Sequence, residues 1–186
     1  MNLTSSSFPF GDIIQWVVDH QVSFPVSPLK DWLIADGSLT QRLKQCCEQF
    51  EVQLLGEREL TPLPGEWPDI TQQLWIREAL LCLDGRPWIF ARTLAPLTLS
   101  QQQLQHLGNR PLGELLFSDS QCHAGMMEWG LAPATGNIQQ LARALGQVEG
   151  VTEIWGRRRH FSYRQQPLVV AEFFLPEAVK RLPPLI

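Results

Sequence analysis

The segment "LWIREALLCLDGRPWIFARTLAP", residues 74–96, constrains the fold more than any other stretch. Two apolar runs flank Asp84-Gly85, and Asp-Gly between such runs is a strong short-range hairpin signal because it tolerates the positive φ of a tight primed turn. A two-residue loop with regular pairing sets Leu81 against Trp88, Ala79 against Phe90 and Arg77 against Arg92. That register puts two arginines side by side on one face. Like charges directly opposite are destabilising, and a guanidinium in apolar surroundings requires a counter-charge. The partner is either a carboxylate of this chain or one carried by a ligand.

A chain of 186 residues is one domain's worth, able to bury roughly 70% of its unfolded surface. Its net charge of −4 provides no electrostatic footprint for nucleic acid. The one basic cluster, Arg157-Arg158-Arg159, is short. No apolar run approaches the ~20 residues that span a bilayer, so membrane insertion is not expected. "MNLTSSSFPFGD" has neither the charged n-region nor the apolar h-region of a signal peptide. Cys46, Cys47, Cys82 and Cys122 form no C-x-x-C pair, and His20, His106, His123 and His160 have no metal-ligand spacing. Packed thiols in a reducing, cytoplasmic setting are expected, with no metal and no cofactor.

Along the chain the pattern is α+β. In "SPLKDWLIADG", Ser27 suits an N-cap, Pro28 the first helical position and Gly37 a stop. "SLTQRLKQCC" places Leu39 and Leu43 one turn apart on a second short helix. "EVQLLGEREL" reads as a strand and "TPLPGEWPD" as a Pro-rich connector into the hairpin. "SQQQLQHLG" suits a helix closed by Gly108, "NRPLGELLF" restarts behind Pro111, and "CHAGMMEWGLA" reads as a strand. Ile138, Leu141 and Leu145 in "NIQQLARALGQ" lie at helical spacing. A second hairpin, "EIWGRRRHFSYRQQPLVVAEFFLP", turns near Arg164-Gln165-Gln166. Strands grouped together with helices set apart imply a mostly antiparallel sheet covered by helices, in a single domain.

The last arm repeats the charge problem with the opposite sign. "PLVVAEFFLP" is apolar on both faces except at Glu172, which shares its side with Val170 and Phe174. A carboxylate in the middle of a buried strand is rare unless paired. Either Glu172 closes the core by pairing with Arg157 or Arg77, or it forms the acidic end of a pocket whose other end is cationic. Pattern alone leaves both open.

"LKDWLIADGSLTQRL", "LWIREALLCLDGRPWIFARTLAP", "LGNRPLGELLF", "WGRRR" and "PLVVAEFFLP", in that order, resemble the bacterial chorismate pyruvate-lyase family. The resemblance runs from about Leu29 to Pro176. It implies one chorismate lyase-like domain over 1–186, an antiparallel sheet with helices and flaps around an internal ligand site. Residues 1–28 form an N-terminal extension, and about 131–150 an extra helical insertion. The family cleaves chorismate to 4-hydroxybenzoate and pyruvate on the route to ubiquinone, without a cofactor. Carried over position by position, Arg77 binds the aromatic carboxylate and Glu172 stands at the hydroxyl end. The backbone of Leu112 contacts ligand, and Leu39 occupies a helix–helix corner where the family commonly has Met. Supporting places fall to Gly113 and Arg157; Arg92, if it shares the face of Arg77, either holds the second, enolpyruvyl carboxylate or merely lowers the local potential. The protein is expected to be a monomer.

A ligand-sensing module is the alternative, because the same fold serves as the effector domain of some bacterial transcription regulators. Such a regulator needs a helix-turn-helix domain ahead of the fold. Only the segment before Leu29 precedes the first matching block.

Overall fold

Asp84 and Gly85 both adopt positive φ (48° and 74°), the geometry of the expected primed turn. The turn joins β2 (Leu74–Leu83) to β3 (Arg86–Pro96). The computed structural model describes residues 8–18, 22–104, 107–147 and 153–185; His20 and His106 lie outside them. Beside the turn the register is the expected one, with Leu83 facing Arg86 and Cys82 facing Pro87. It then slips, so that Leu81 faces Ile89, Arg77 faces Thr93 and Arg92 faces Glu78. The extra residue is Trp88, which follows a proline that has no N–H to give a ladder. Because side chains alternate with a period of two, this bulge moves Arg92 to the opposite face from Arg77. The expected Arg77–Arg92 pairing is therefore corrected, and the like-charge conflict disappears.

Four more strands complete the sheet: β1 (Phe50–Leu60), β4 (Cys122–Leu131), β5 (Trp155–Tyr163) and β6 (Gln166–Phe174). They are ordered β1-β2-β3-β6-β5-β4, every neighbour antiparallel. The second hairpin turns on Arg164 and Gln165, both at positive φ, with Tyr163 facing Gln166. Its two arms bring Arg157 opposite Glu172.

Helices α1 (Leu29–Ile34), α2 (Leu39–Lys44) and α4 (Leu112–Ser118) lie against one face. The α1 start differs from expectation. The Pro28 carbonyl accepts the first helical bond, from Trp32 N at 3.3 Å, so Pro28 is the cap residue. Ser27 instead donates from Oγ to Asp31 Oδ1 at 2.8 Å. Ser38 caps α2, accepting from Gln41 N. Between β3 and α4 the chain forms a short turn, α3 (Leu97–Leu99), and a π-helical turn over Ser100–Leu104, where one regular helix was expected.

The second face is covered by residues 8–18, the connector around Trp67 and α5 (Asn137–Ala144). Asp12 accepts from Asn137 N (2.8 Å) and Ile138 N (2.9 Å), capping a helix whose own cap residue, Gly136, offers no side chain. Here residues 8–18 and α5 hold each other in place. A row of charge also crosses this face, Glu78, Arg92, Ala171, Arg158 and Glu128 being neighbours strand by strand. Glu66 from the connector grips Arg92 through two bonds, at 2.6 and 2.9 Å. Glu78 binds Arg92 and also accepts from Phe10 N at 2.7 Å. Arg158 is held by Glu128 and by the Gly65 carbonyl, with the Trp16 ring 4.8 Å away. Burial pushes the Glu78 carboxyl up, against the pull of Arg92.

Candidate active site

On the helix-covered face, two rows of facing residues run across the sheet. One reads Glu57, Arg77, Thr93, Val170, Arg159, Met127; the next reads Leu54, Ala79, Ala91, Glu172, Arg157, Trp129. Arg77 and Glu172 are thus two strands apart and one side-chain repeat along, about 12 Å between Cα atoms on ordinary sheet spacings. The floor between them is Thr93, Ala91 and Val170, small or apolar side chains.

Arg77 is 4% exposed, yet it is not locked into a carboxylate. Its Nη2 donates to the Gly108 carbonyl at 2.8 Å, and Nε stands 3.9 Å from Glu57 Oε2, beyond hydrogen-bond reach. Burial pushes its pKa down, and Glu57 only partly opposes this. Gly108, at φ 54°, belongs to the turn that leads into α4, so the same guanidinium ties that loop to the sheet. Leu112 opens α4 behind Pro111, which provides no side-chain cap. Gly113 allows α4 to lie close on α2, since a Cβ there would sit 2.8 Å from Thr40 Oγ1.

Glu172 pairs with Arg157 Nε at 2.8 Å, one of the two partners considered for it; the other, Arg77, is engaged elsewhere. Arg157 Nη1 also donates to the carbonyls of Trp32 (3.1 Å) and Ala35 (2.9 Å). Trp129 Nε1 donates to Leu33 O at 3.0 Å. These bonds satisfy carbonyls at the end of α1 that no helical N–H can reach, and they fix the α1–α2 corner over Glu172. The corner carries Leu39. Beneath it Leu39, Gly113, Leu116, Met127, Arg157, Arg159 and Glu172 help to line a cavity of about 30 Å³. Arg159, which reading the sequence had not singled out, holds the exposed Asp36 at 3.0 Å.

Of the residues that the family resemblance singles out, Leu39, Gly113, Arg157 and Glu172 line this cavity, whereas Arg77 and Leu112 lie on the same side of the sheet but are not among its lining residues. Arg92 is the exception. It lies across the sheet, bound by Glu66 and Glu78, and has no access to the site. Glu57 was missed because strict alternation from Val52 points it away; a bulge between Leu54 and Gly56 turns it toward Arg77. Gly56 inside the strand was the available signal.

The chorismate lyase family model matches residues 12–182. The chain belongs to the chorismate lyase family. It is 49% identical to a probable chorismate pyruvate-lyase of Shewanella sp. (strain ANA-3), over 98% of both chains. To the protein of the same name in Shewanella loihica it is 50% identical over 96% of both. Among solved structures it is similar to PhnF from Mycobacterium smegmatis, with a TM-score of 0.55 and 15% identity over 82% of this chain and 68% of that one. The effector domain of PhnF matches at 0.53, with 14% identity over 76% of this chain and 90% of that one. Likeness at that identity concerns the fold alone. No helix among the described residues is long and apolar enough to cross a membrane.

Proposed function

We propose that the protein is a chorismate lyase, converting chorismate to 4-hydroxybenzoate and pyruvate for ubiquinone-type quinone synthesis, with Arg77 and Glu172 at the two ends of the substrate. The observation that carries this reading is a buried arginine with no carboxylate in hydrogen-bond contact, across a floor of small residues from a carboxylate. Arg77 takes the ring carboxylate through charge-assisted hydrogen bonds, and the backbone at the start of α4 closes over that end. The hydroxyl-bearing carbon of the substrate then lies toward Glu172.

In the reaction that ring carbon loses its proton, and the C–H electron pair becomes a ring π bond. The neighbouring carbon releases the enolpyruvyl oxygen with its electron pair, and the enolpyruvate takes up a proton to become pyruvate. Aromatisation makes the step strongly downhill, so little is asked of the protein beyond alignment in a dry enclosure. Glu172, held by Arg157, accepts from the ring hydroxyl or receives the departing proton. A cavity of about 30 Å³ compares with ~150 Å³ for one that accepts benzene. Substrate therefore enters as α4 and the α1–α2 corner lift from the sheet. The four cysteines carry no disulfide, which suits a reducing cytoplasm.

The direct test is incubation of the purified protein with chorismate, following 4-hydroxybenzoate by absorbance and pyruvate by a coupled dehydrogenase. Equimolar appearance of both is expected. A protein that binds 4-hydroxybenzoate but leaves chorismate intact is a binding module instead. Glu172→Gln keeps the shape and removes the charge. It should lower kcat by about a hundredfold, the low end for a positioned acid–base group, with product affinity nearly unchanged. An unaltered rate would make Glu172 a purely structural partner of Arg157.

A further inference from the structure

Glu57 and Arg77 face one another directly across β1 and β2, and their side chains stop short of a bond. Arg77 Nε and Glu57 Oε2 are 3.9 Å apart, and each is a buried atom with no hydrogen-bond partner. An ion pair kept for stability closes to hydrogen-bond distance, as Arg92 does with Glu66 at 2.6 Å on the other face. Buried polar atoms left unpaired are rare and call for a cause. We infer that Glu57 is a positioning residue that limits how tightly Arg77 holds an anionic ligand. This inference rests on the carboxylate-binding role of Arg77 proposed above.

The physical argument is a charge balance. In the empty site the Glu57 carboxylate offsets the Arg77 guanidinium without occupying its donors. When a ligand carboxylate arrives, two anions share one cation, and the Glu57 charge works against the newcomer. The Gly108 carbonyl, 2.8 Å from Nη2, engages another donor of the guanidinium and is neutral. Repulsion between carboxylates some 6 Å apart, in surroundings intermediate between protein and water, weakens binding about tenfold. The product keeps the ring carboxylate, so the same repulsion speeds its departure from a closed site. Glu57 thereby exchanges ground-state affinity for turnover, which helps only if release limits the rate.

The test is calorimetric titration with 4-hydroxybenzoate and with its uncharged analogue 4-hydroxybenzamide, on the wild-type protein and on Glu57→Gln. The variant should bind 4-hydroxybenzoate about tenfold more tightly and leave the affinity for the amide within about twofold. In turnover of chorismate, KM and kcat should fall together as product is retained. A variant that binds both ligands with equally altered affinity, or the benzoate no more tightly than wild type, overturns the inference. Should Glu57→Gln not fold, Glu57→Asp retains the charge but withdraws it by one methylene. It should shift the benzoate-to-amide preference in the same direction and by less, and an unchanged preference is then the overturning result. Wild-type protein that fails to bind 4-hydroxybenzoate removes the reading of the site itself. Binding by wild type with no effect of either variant removes only the role of Glu57.

Discussion

Arg77→Ala lowers affinity for 4-hydroxybenzoate by about 2–5 kcal/mol, the cost of deleting one partner of a buried, hydrogen-bonded charge pair. The fold is expected to survive. Arg77 is buried without a bonded carboxylate, so the native state bears a desolvation cost that no ion pair repays, and removing the guanidinium relieves it. Glu57, left without its counter-charge, is 31% exposed and can be solvated. The expected signature is a melting temperature within a few degrees of wild type alongside a severe loss of binding, read by thermal melting and calorimetric titration on the same preparation. Near-normal affinity for the benzoate would remove Arg77 from the carboxylate site. A collapse in stability would show the Gly108 tether to be its main purpose.

Arg92→Ala has the opposite signature. Two carboxylates, Glu66 and the wholly buried Glu78, are bonded to this one guanidinium, and truncating it strands both. Breaking a buried ion pair from one side costs about 3–5 kcal/mol, a large share of the 5–15 kcal/mol that holds a typical domain together. The connector that carries Glu66 also gives its Gly65 carbonyl to Arg158, so its attachment to the sheet should loosen as well. Urea denaturation should show the midpoint shift, while the protein that remains folded binds 4-hydroxybenzoate with wild-type affinity. Lost affinity at unchanged stability would return Arg92 to the ligand site and contradict the register seen here.

The contrast between these arginines marks where reading the sequence stopped. Both stand in one hairpin, fifteen positions apart, and regular alternation puts them on one face. A single extra residue at Trp88 reverses Arg92, and another irregularity beside Gly56 brings Glu57 round to Arg77. A bulge is a small energetic compromise between strand twist, an N–H missing at Pro87 and the packing of neighbouring side chains. Its effect on sidedness is total, because the side-chain period is two. The N-terminal segment was equally illegible. Asp12 acquires meaning only as the cap of α5, more than a hundred residues away.

The hairpin at Asp84-Gly85, the second hairpin, the short helices behind Pro28 and Pro111 and the apolar strand broken by Glu172 are all written in local sequence. Turn chemistry, hydrophobic period and helix boundaries act over a few residues, so the chain alone determined the antiparallel α+β architecture and marked Arg77, Arg92 and Glu172 as charges out of place, while the remaining site candidates followed from the family resemblance. Which charges meet was decided by the tertiary structure. Arg157 found Glu172 and Arg92 found Glu66 and Glu78, while Arg77 was left without a bonded carboxylate. Electrostatic pairing in a buried sheet depends on which face and which row a side chain occupies, and those are set by register, bulges and the segments that fold over the sheet.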